Sequence, residues 1–281
     1  MEGKMSVSRA ILAGLIQGFT EFLPVSSSGH LVIFASLFGG GEGGYLGFTV
    51  FLHLATLFAV IAVYIEDIWS LILTFFAIIK DLFHGKADFD GPDRKFLLMI
   101  IVATIPAVIA GLMIKLLNLE SALENIFITA CMLFVTAALM LFADRLREGR
   151  RVAANTTLRA ALFIGLLQAF AILPGLSRSG SAIFGGLFIG LKKDFAVRFA
   201  FILSIPVVLG SVILELPDVL GAGGFDMSAM GMIAGFAAAL LSGILSIRLI
   251  KVLADKKRFS IFGVYCACAG VFAFLVGFGV I

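Results

Sequence analysis

The fold class the sequence predicts is an all-α integral membrane protein. It should have about six spanning helices and two re-entrant helix–loop–helix hairpins, arranged as inverted-topology repeats. Three observations lead there: the balance of apolar and charged residues, a polar pattern written twice along the chain, and the uneven placement of Lys and Arg.

The 281-residue chain is 61% hydrophobic and 14% charged, against about 25% charged residues in a soluble domain. Apolar stretches recur from end to end, and each needs only about 20 residues to cross the hydrocarbon core. A soluble enzyme is excluded, and with a net charge of only +3 nucleic acid is not an expected partner. Cys131, Cys266 and Cys268 all stand in apolar runs, where cysteine behaves as a small hydrophobe. Cys266 and Cys268, two apart, point in different directions on a helix, so neither a disulfide nor a metal site is indicated. The first 23 residues have Lys4 and Arg9 ahead of an apolar core, as a signal peptide does. Gln17, Glu21, the lack of a small-residue cleavage pattern and the reappearance of the segment later in the chain argue against one.

Taken in order, residues 9–23 and 30–39 are each too short to span, and Pro24 and Gly29 break them apart. Spanning candidates follow at 46–65, 96–114, 124–143, 195–214, 228–250 and 259–280. Segment 68–84, interrupted by Trp69, Lys80 and Asp81, reads as a shorter or interfacial helix. Residues 159–173 and 181–191 repeat the opening arrangement, broken around Pro174, Gly175 and Gly180.

That repetition is detailed. "RAILAGLIQGFTEFLPVSSSGH" (9–30) and "RAALFIGLLQAFAILPGLSRSGS" (159–181) both begin Arg-Ala, carry Gly-Leu-x-Gln-x-Phe, reach Leu-Pro and then give Ser-x-Ser-Gly. Two apolar segments often look alike by chance, but a shared polar grammar is another matter. The chain therefore reads as one membrane domain, 1–281, with an internal repeat of about 9–143 and about 159–281. Regions 66–95, 144–159, 192–198 and 248–258 hold 17 of the 21 Lys and Arg residues, and the positive-inside rule places them in the cytoplasm. The first copy then enters from outside and the second from the cytoplasm. Inverted repeats of this kind bring paired broken helices together at the midplane, where substrates bind.

Irregular backbone at membrane depth is tolerated only when buried in protein or lining a watery cavity. The octet "LPVSSSGH" (23–30) is thus expected at a hairpin tip facing such a cavity. In each copy serines precede a helix start, whose free N–H groups and positive dipole end suit an anion. Ser26, Ser28, Ser177, Ser179, Gly180 and Ser181 are candidates to hold a phosphate. Arg178 adds a planar fork for phosphate oxygens, and an arginine in an apolar region is costly unless functional. Gln17 and Glu21, four apart on one helix face, suit a hard divalent cation such as Mg²⁺ or Ca²⁺, completed by water and substrate phosphate. His30 lies three or four residues from Ser26 and Ser27, within reach of a hydroxyl proton, and serine needs a base to become a nucleophile. Ser27, His30, Glu21 and Arg178 are the catalytic candidates. His53, on an apolar helix, is expected only to be hydrogen-bonded within the bundle.

"QGFTEFLPVSSSGH" (17–30) and "LPGLSRSGS" (173–181) together resemble the two signature regions of the undecaprenyl-diphosphate phosphatase family, also called bacitracin-resistance proteins. The "FAVRFAFILSIP" stretch and the overall length agree, so the resemblance covers nearly the whole chain. It implies an enzyme of the bacterial cytoplasmic (inner) membrane that hydrolyses a polyprenyl diphosphate lipid, undecaprenyl diphosphate, to the monophosphate and inorganic phosphate. That step recycles the lipid carrier for cell-wall polymers. By motif position, Gln17 and Glu21 correspond to the pair linked to a divalent metal. Ser27 corresponds to the nucleophile, His30 to its partner, and Ser177, Arg178 and Ser179 to the phosphate-binding motif. Two departures stand out: Gln17 replaces an acid, and Ala182 stands where the family has threonine, with Ser181 just before it. Homodimerisation is left open. The competing expectation, from inverted repeats alone, is a polyprenyl-phosphate transporter or flippase.

Overall fold

The computed structural model of the protein describes residues 6–38, 42–85, 89–123, 125–221, 228–256 and 258–280. Among these the regular structure is helical, apart from a single bridge between Arg151 and Leu191. In chain order the α-helices are α1 (Val7–Phe22), α2 (Ser27–Phe38), α3 (Glu42–Val63), α4 (Ile65–Phe83), α5 (Pro92–Leu116), α6 (Glu120–Leu123) and α7 (Ile126–Ala143). They continue as α8 (Leu158–Phe170), α9 (Arg178–Phe188), α10 (Lys193–Gly221), α11 (Ala229–Asp255) and α12 (Ser260–Gly277).

Five of these, α5, α7, α10, α11 and α12, are long and apolar enough to cross a bilayer. The sixth expected span lies in α3, which is followed after Tyr64 by α4, turned through 87°. The turn explains the ambiguous 68–84 segment. α4 buries Leu71 and Ile78 but exposes Trp69, Leu73, Phe76 and Phe83. A helix at right angles to a span, with apolar side chains facing outward, lies along the membrane surface.

The two hairpins form as expected. Helix α1 has 16 residues and α2 has 12, while α8 has 13 and α9 has 11, all short of the roughly 20 needed to span. Each pair packs against itself, α1 on α2 and α8 on α9. Chain reversal uses left-handed backbone at Ser26 (φ 70°) in the first hairpin and at Gly175 (φ 95°) in the second.

Small residues bring the hairpins close to the spanning helices. A Cβ on Gly165 of α8 would strike the Ala103 backbone of α5, and one on Gly18 of α1 would strike Ser242 and Gly243 of α11. Such contacts let helices associate in lipid, where the hydrophobic effect between them is absent. Helix α1 packs on α11 and α8 on α5, α3 packs on α11 and α10 on α5, and α2 meets α12 as α9 meets α7. Exchanging α1 with α8, α2 with α9, α3 with α10, α5 with α11 and α7 with α12 turns each of these pairings into its counterpart. The main apolar core, with Ile164, Ile183, Phe199, Phe201 and Leu203 fully buried, draws most heavily on α10 and α5, with further side chains from α3, α7, α8, α9, α11 and α12.

Candidate active site at the hairpin tips

The two hairpin tips are built on the same cap. Ser26 Oγ accepts the Gly29 N–H at 3.2 Å, and Ser177 Oγ accepts the Gly180 N–H at 3.0 Å. In both, the capping hydroxyl also meets the hydroxyl two residues on, Ser28 or Ser179, at 3.2 Å. Each cap satisfies one of the donors a helix start leaves free. Ser27 and Arg178 consequently occupy the same place, the first residue of α2 and of α9.

The tips also touch. A Cβ built on Gly29 would lie 3.1 Å from Gly175 Cα, and one on Gly180 would lie 3.2 Å from Pro24 Cβ. Ser179 Oγ donates to the Leu23 carbonyl at 3.4 Å. Helix α7 fixes the second tip through Thr136, whose hydroxyl donates to Gly175 O at 2.9 Å and accepts from Ser177 N at 3.0 Å. Between the tips lies a small recess lined by Thr20, Glu21, Ser26, Ser27, Ser28, Ala171, Leu176, Ser177 and Arg178.

Glu21 is the centre of this arrangement, and its two carboxylate oxygens face different partners. Oε2 accepts from Ser27 Oγ at 2.6 Å and from Gln17 Nε2 at 3.0 Å. Oε1 faces Arg178 Nη1 across the gap between hairpins, at 3.8 Å. A buried carboxylate is tolerated only with such partners. Arg178 Nη1 is itself buried and makes no hydrogen bond, which leaves a donor of the guanidinium free for an incoming oxyanion.

His30 departs from expectation. Its Nδ1 lies 2.7 Å from the Ser26 carbonyl, which can only accept, so Nδ1 carries the proton. Its Nε2 then accepts from Tyr265 Oη of α12 at 2.6 Å, and the two rings stack at 5.5 Å. The expected pairing of His30 with Ser27 is therefore not formed. Residue spacing brought His30 within range of the serines, but a more distant tyrosine takes its basic nitrogen, and Ser27 donates to Glu21 instead.

Sequence reasoning missed His53. Its Nδ1 does bond within its own helix, to Thr49 O at 2.9 Å, but Nε2 reaches to 3.8 Å from Glu21 Oε2. Thr136 and Tyr265 were missed as well. Each comes from a helix remote in sequence, and no local spacing announces it. Ser181 is buried with its hydroxyl unpartnered, as is Gln168, whose amide bonds to nothing at either end.

For a divalent cation the donor set is small. Among the described residues no three His, Cys, Asp or Glu side chains cluster to hold a metal. Glu21 and the Gln17 Oε1 atom, buried and without a hydrogen-bond partner, offer two oxygens, which fits an ion that takes the rest of its shell from water and phosphate.

Fold and recess together define a polytopic membrane protein with a polar recess between two re-entrant hairpins, one tip supplying a serine and a carboxylate and the other an arginine. Residues 10–272 match the family profile of the bacitracin resistance protein BacA, and the chain belongs to that family. It is 40% identical over 279 residues to a protein of Methanobrevibacter smithii named undecaprenyl-diphosphatase, covering 96% of this chain and 98% of that one. Relatives of the same name in Alkaliphilus metalliredigens (41% identical, covering 95% and 97%) and Thermosipho africanus (40%, covering 95% and 99%) are similarly close.

Proposed function

We propose that this chain hydrolyses undecaprenyl diphosphate to undecaprenyl phosphate and inorganic phosphate, acting at the recess between the hairpin tips in the cytoplasmic membrane. The observation that carries the reading is the Ser27–Glu21–Arg178 constellation: a hydroxyl donating to a carboxylate that faces a guanidinium on the opposite tip.

The reaction divides as follows. The terminal phosphate of the substrate enters the recess, where Arg178 and the N–H groups of two helix starts neutralise its oxygens. Ser27 Oγ attacks the terminal phosphorus and passes its proton to Glu21 Oε2. The bond from phosphorus to the bridging oxygen breaks, and undecaprenyl phosphate departs with the bridging electrons. Water then attacks the phosphoserine phosphorus, and the bond from phosphorus to Ser27 Oγ breaks as Glu21 returns its proton to Oγ. The proton lost by the water passes to the Glu21 carboxylate so freed as inorganic phosphate leaves. The work is mostly positioning and charge neutralisation, as in other phosphoryl transfers. Ser26, Ser28, Ser177, Ser179 and Gly180 shape the oxyanion cradle, and Ser181 adds a free buried hydroxyl. Gln17 and Glu21 would hold Mg²⁺ or Ca²⁺, which when bound supplies further positive charge at the phosphate. His30, tied to Tyr265, sets the pitch of α2 and hence the aim of Ser27.

A transporter needs no hydroxyl–carboxylate pair, and the relatives' shared name favours hydrolysis. The exchange of helix pairings described above supports the reading of residues 9–143 and 159–281 as inverted repeats. Purified protein in detergent should release inorganic phosphate from undecaprenyl or farnesyl diphosphate, with Mg²⁺ or Ca²⁺ stimulating and a chelator suppressing release. Tight binding of the lipid with no phosphate released under any metal would sink the proposal.

A further inference from the structure

A second polar cluster lies away from the recess, at the end of the bundle where Lys and Arg collect. It forms where α3 turns into α4. Tyr64, at the turn, is 4% exposed, yet its hydroxyl is buried without a hydrogen-bond partner. Arg198 of α10 pairs through Nη2 with Asp67 of α4 and lies 5.2 Å over the Phe96 ring. Its Nε is buried and unpartnered too. Lys251 of α11 places Nζ 4.2 Å over the face of Tyr64, and Arg248 stands one turn earlier on the same helix. An aromatic partition separates this cluster from the hairpins: the Tyr64 ring lies 6.2 Å from Phe201, which lies 5.5 Å from Phe22, the neighbour of Glu21.

Two features of the cluster are incomplete as they stand. A tyrosine hydroxyl and an arginine N–H, both buried, each cost on the order of 1–3 kcal/mol when left unsatisfied. The local charge is also unbalanced, because Asp67 faces both Arg198 and Lys251, and Arg248 adds a further positive charge beside them. An oxyanion resolves both. Its surroundings say which kind: α4 runs along the membrane surface with Trp69 and Phe76 exposed, so the cluster sits at head-group depth between spanning helices. Basic pockets so placed take lipid phosphates.

We propose that Tyr64, Arg198 and Lys251 form a binding site for the phosphate head group of an anionic lipid, separate from the hairpin recess. Tyr64 Oη and Arg198 Nε–H donate to phosphate oxygens, and Lys251 supplies the balancing charge. The phosphate belongs either to a bilayer phospholipid or to a polyprenyl monophosphate, since the chemistry presented is the same. Nothing in this site depends on the phosphatase reading, because it is tested by binding.

The test uses the full chain in phosphatidylcholine nanodiscs, carrying Arg178→Ala so that the hairpin recess lacks its cation. Titrated farnesyl monophosphate should show one saturable binding event. Adding Tyr64→Phe, which removes a single oxygen, should weaken it about tenfold, and Lys251→Met should do the same. With Arg178 intact, both variants should release phosphate from farnesyl diphosphate within about twofold of the unmodified chain. Displacement by phosphatidylglycerol would name a bilayer lipid as the occupant, displacement by inorganic phosphate would show that the head group alone suffices, and both support the site. No saturable binding, binding indifferent to the two substitutions, or lost turnover with binding unchanged would each overturn it.

Discussion

Ser26 and Ser177 stand at the same place in two hairpins, make the same bond to a glycine N–H three residues on, and meet a second serine at the same distance. One residue later the hairpins part. The first tip has Ser27 there and the second has Arg178, and only the first helix supplies a carboxylate, Glu21. In the second hairpin Gln168 repeats the motif position of Gln17 but bonds to nothing. The two hairpins share their backbone scaffolding, while the polar side chains at the recess are divided between them. The serine proposed as nucleophile and the carboxylate proposed as its proton acceptor lie on one tip and the arginine on the other, so on this reading neither hairpin is a complete site.

Several substitutions would break that division if it is wrong. Ser27→Ala should lower phosphate release by at least about 10³-fold, since removing a nucleophile disables the residues acting with it. Glu21→Gln keeps the size but not the proton acceptor, and a fall of about 10²-fold or more is expected. The exchange Ser27→Arg with Arg178→Ser is the sharpest comparison: two equivalent tips would tolerate it. We expect it to be as inactive as Ser27→Ala, because Glu21 does not move with the serine. Tyr265→Phe frees Nε2 of His30 and should cost only about tenfold, the scale of a lost positioning bond. If His30 were the base for Ser27, His30→Ala would match Ser27→Ala, whereas a positioning role leaves it nearer to Tyr265→Phe. The smallest effect should be on stability. Ser26→Ala and Ser177→Ala each remove one cap, worth about 1 kcal/mol, read as similar losses in thermal unfolding.

Much of this was legible in the sequence because it is local. Pro24 and Pro174 announce the breaks, the serines announce the helix starts, and the four-residue interval from Gln17 to Glu21 places both on one face. Arg178 stood out because arginine in apolar sequence needs a reason, and its approach to Glu21 follows from the paired hairpins. The choice of partner among groups within reach was not legible. His30 could have turned to Ser27, yet Tyr265, 235 residues further on, decides its orientation. His53 and Thr136 show the same limit, since a polar side chain on an apolar helix gains its role from whichever helix packs beside it. The 87° turn after Tyr64 was half visible, as an interrupted apolar run, but the geometry of the elbow depends on Arg198 holding Asp67 from another helix.

Where the two reversals meet, neither Gly29 nor Gly175 carries a side chain, and these two positions act as a thickness gauge for the enzyme. A methyl on Gly29 would press on the Gly175 backbone and one on Gly175 would strike the Thr129 carbonyl of α7, so a side chain at either would disturb the contact across which guanidinium answers carboxylate. The reach of the chemistry is thus fixed by atoms that are missing, one on each hairpin.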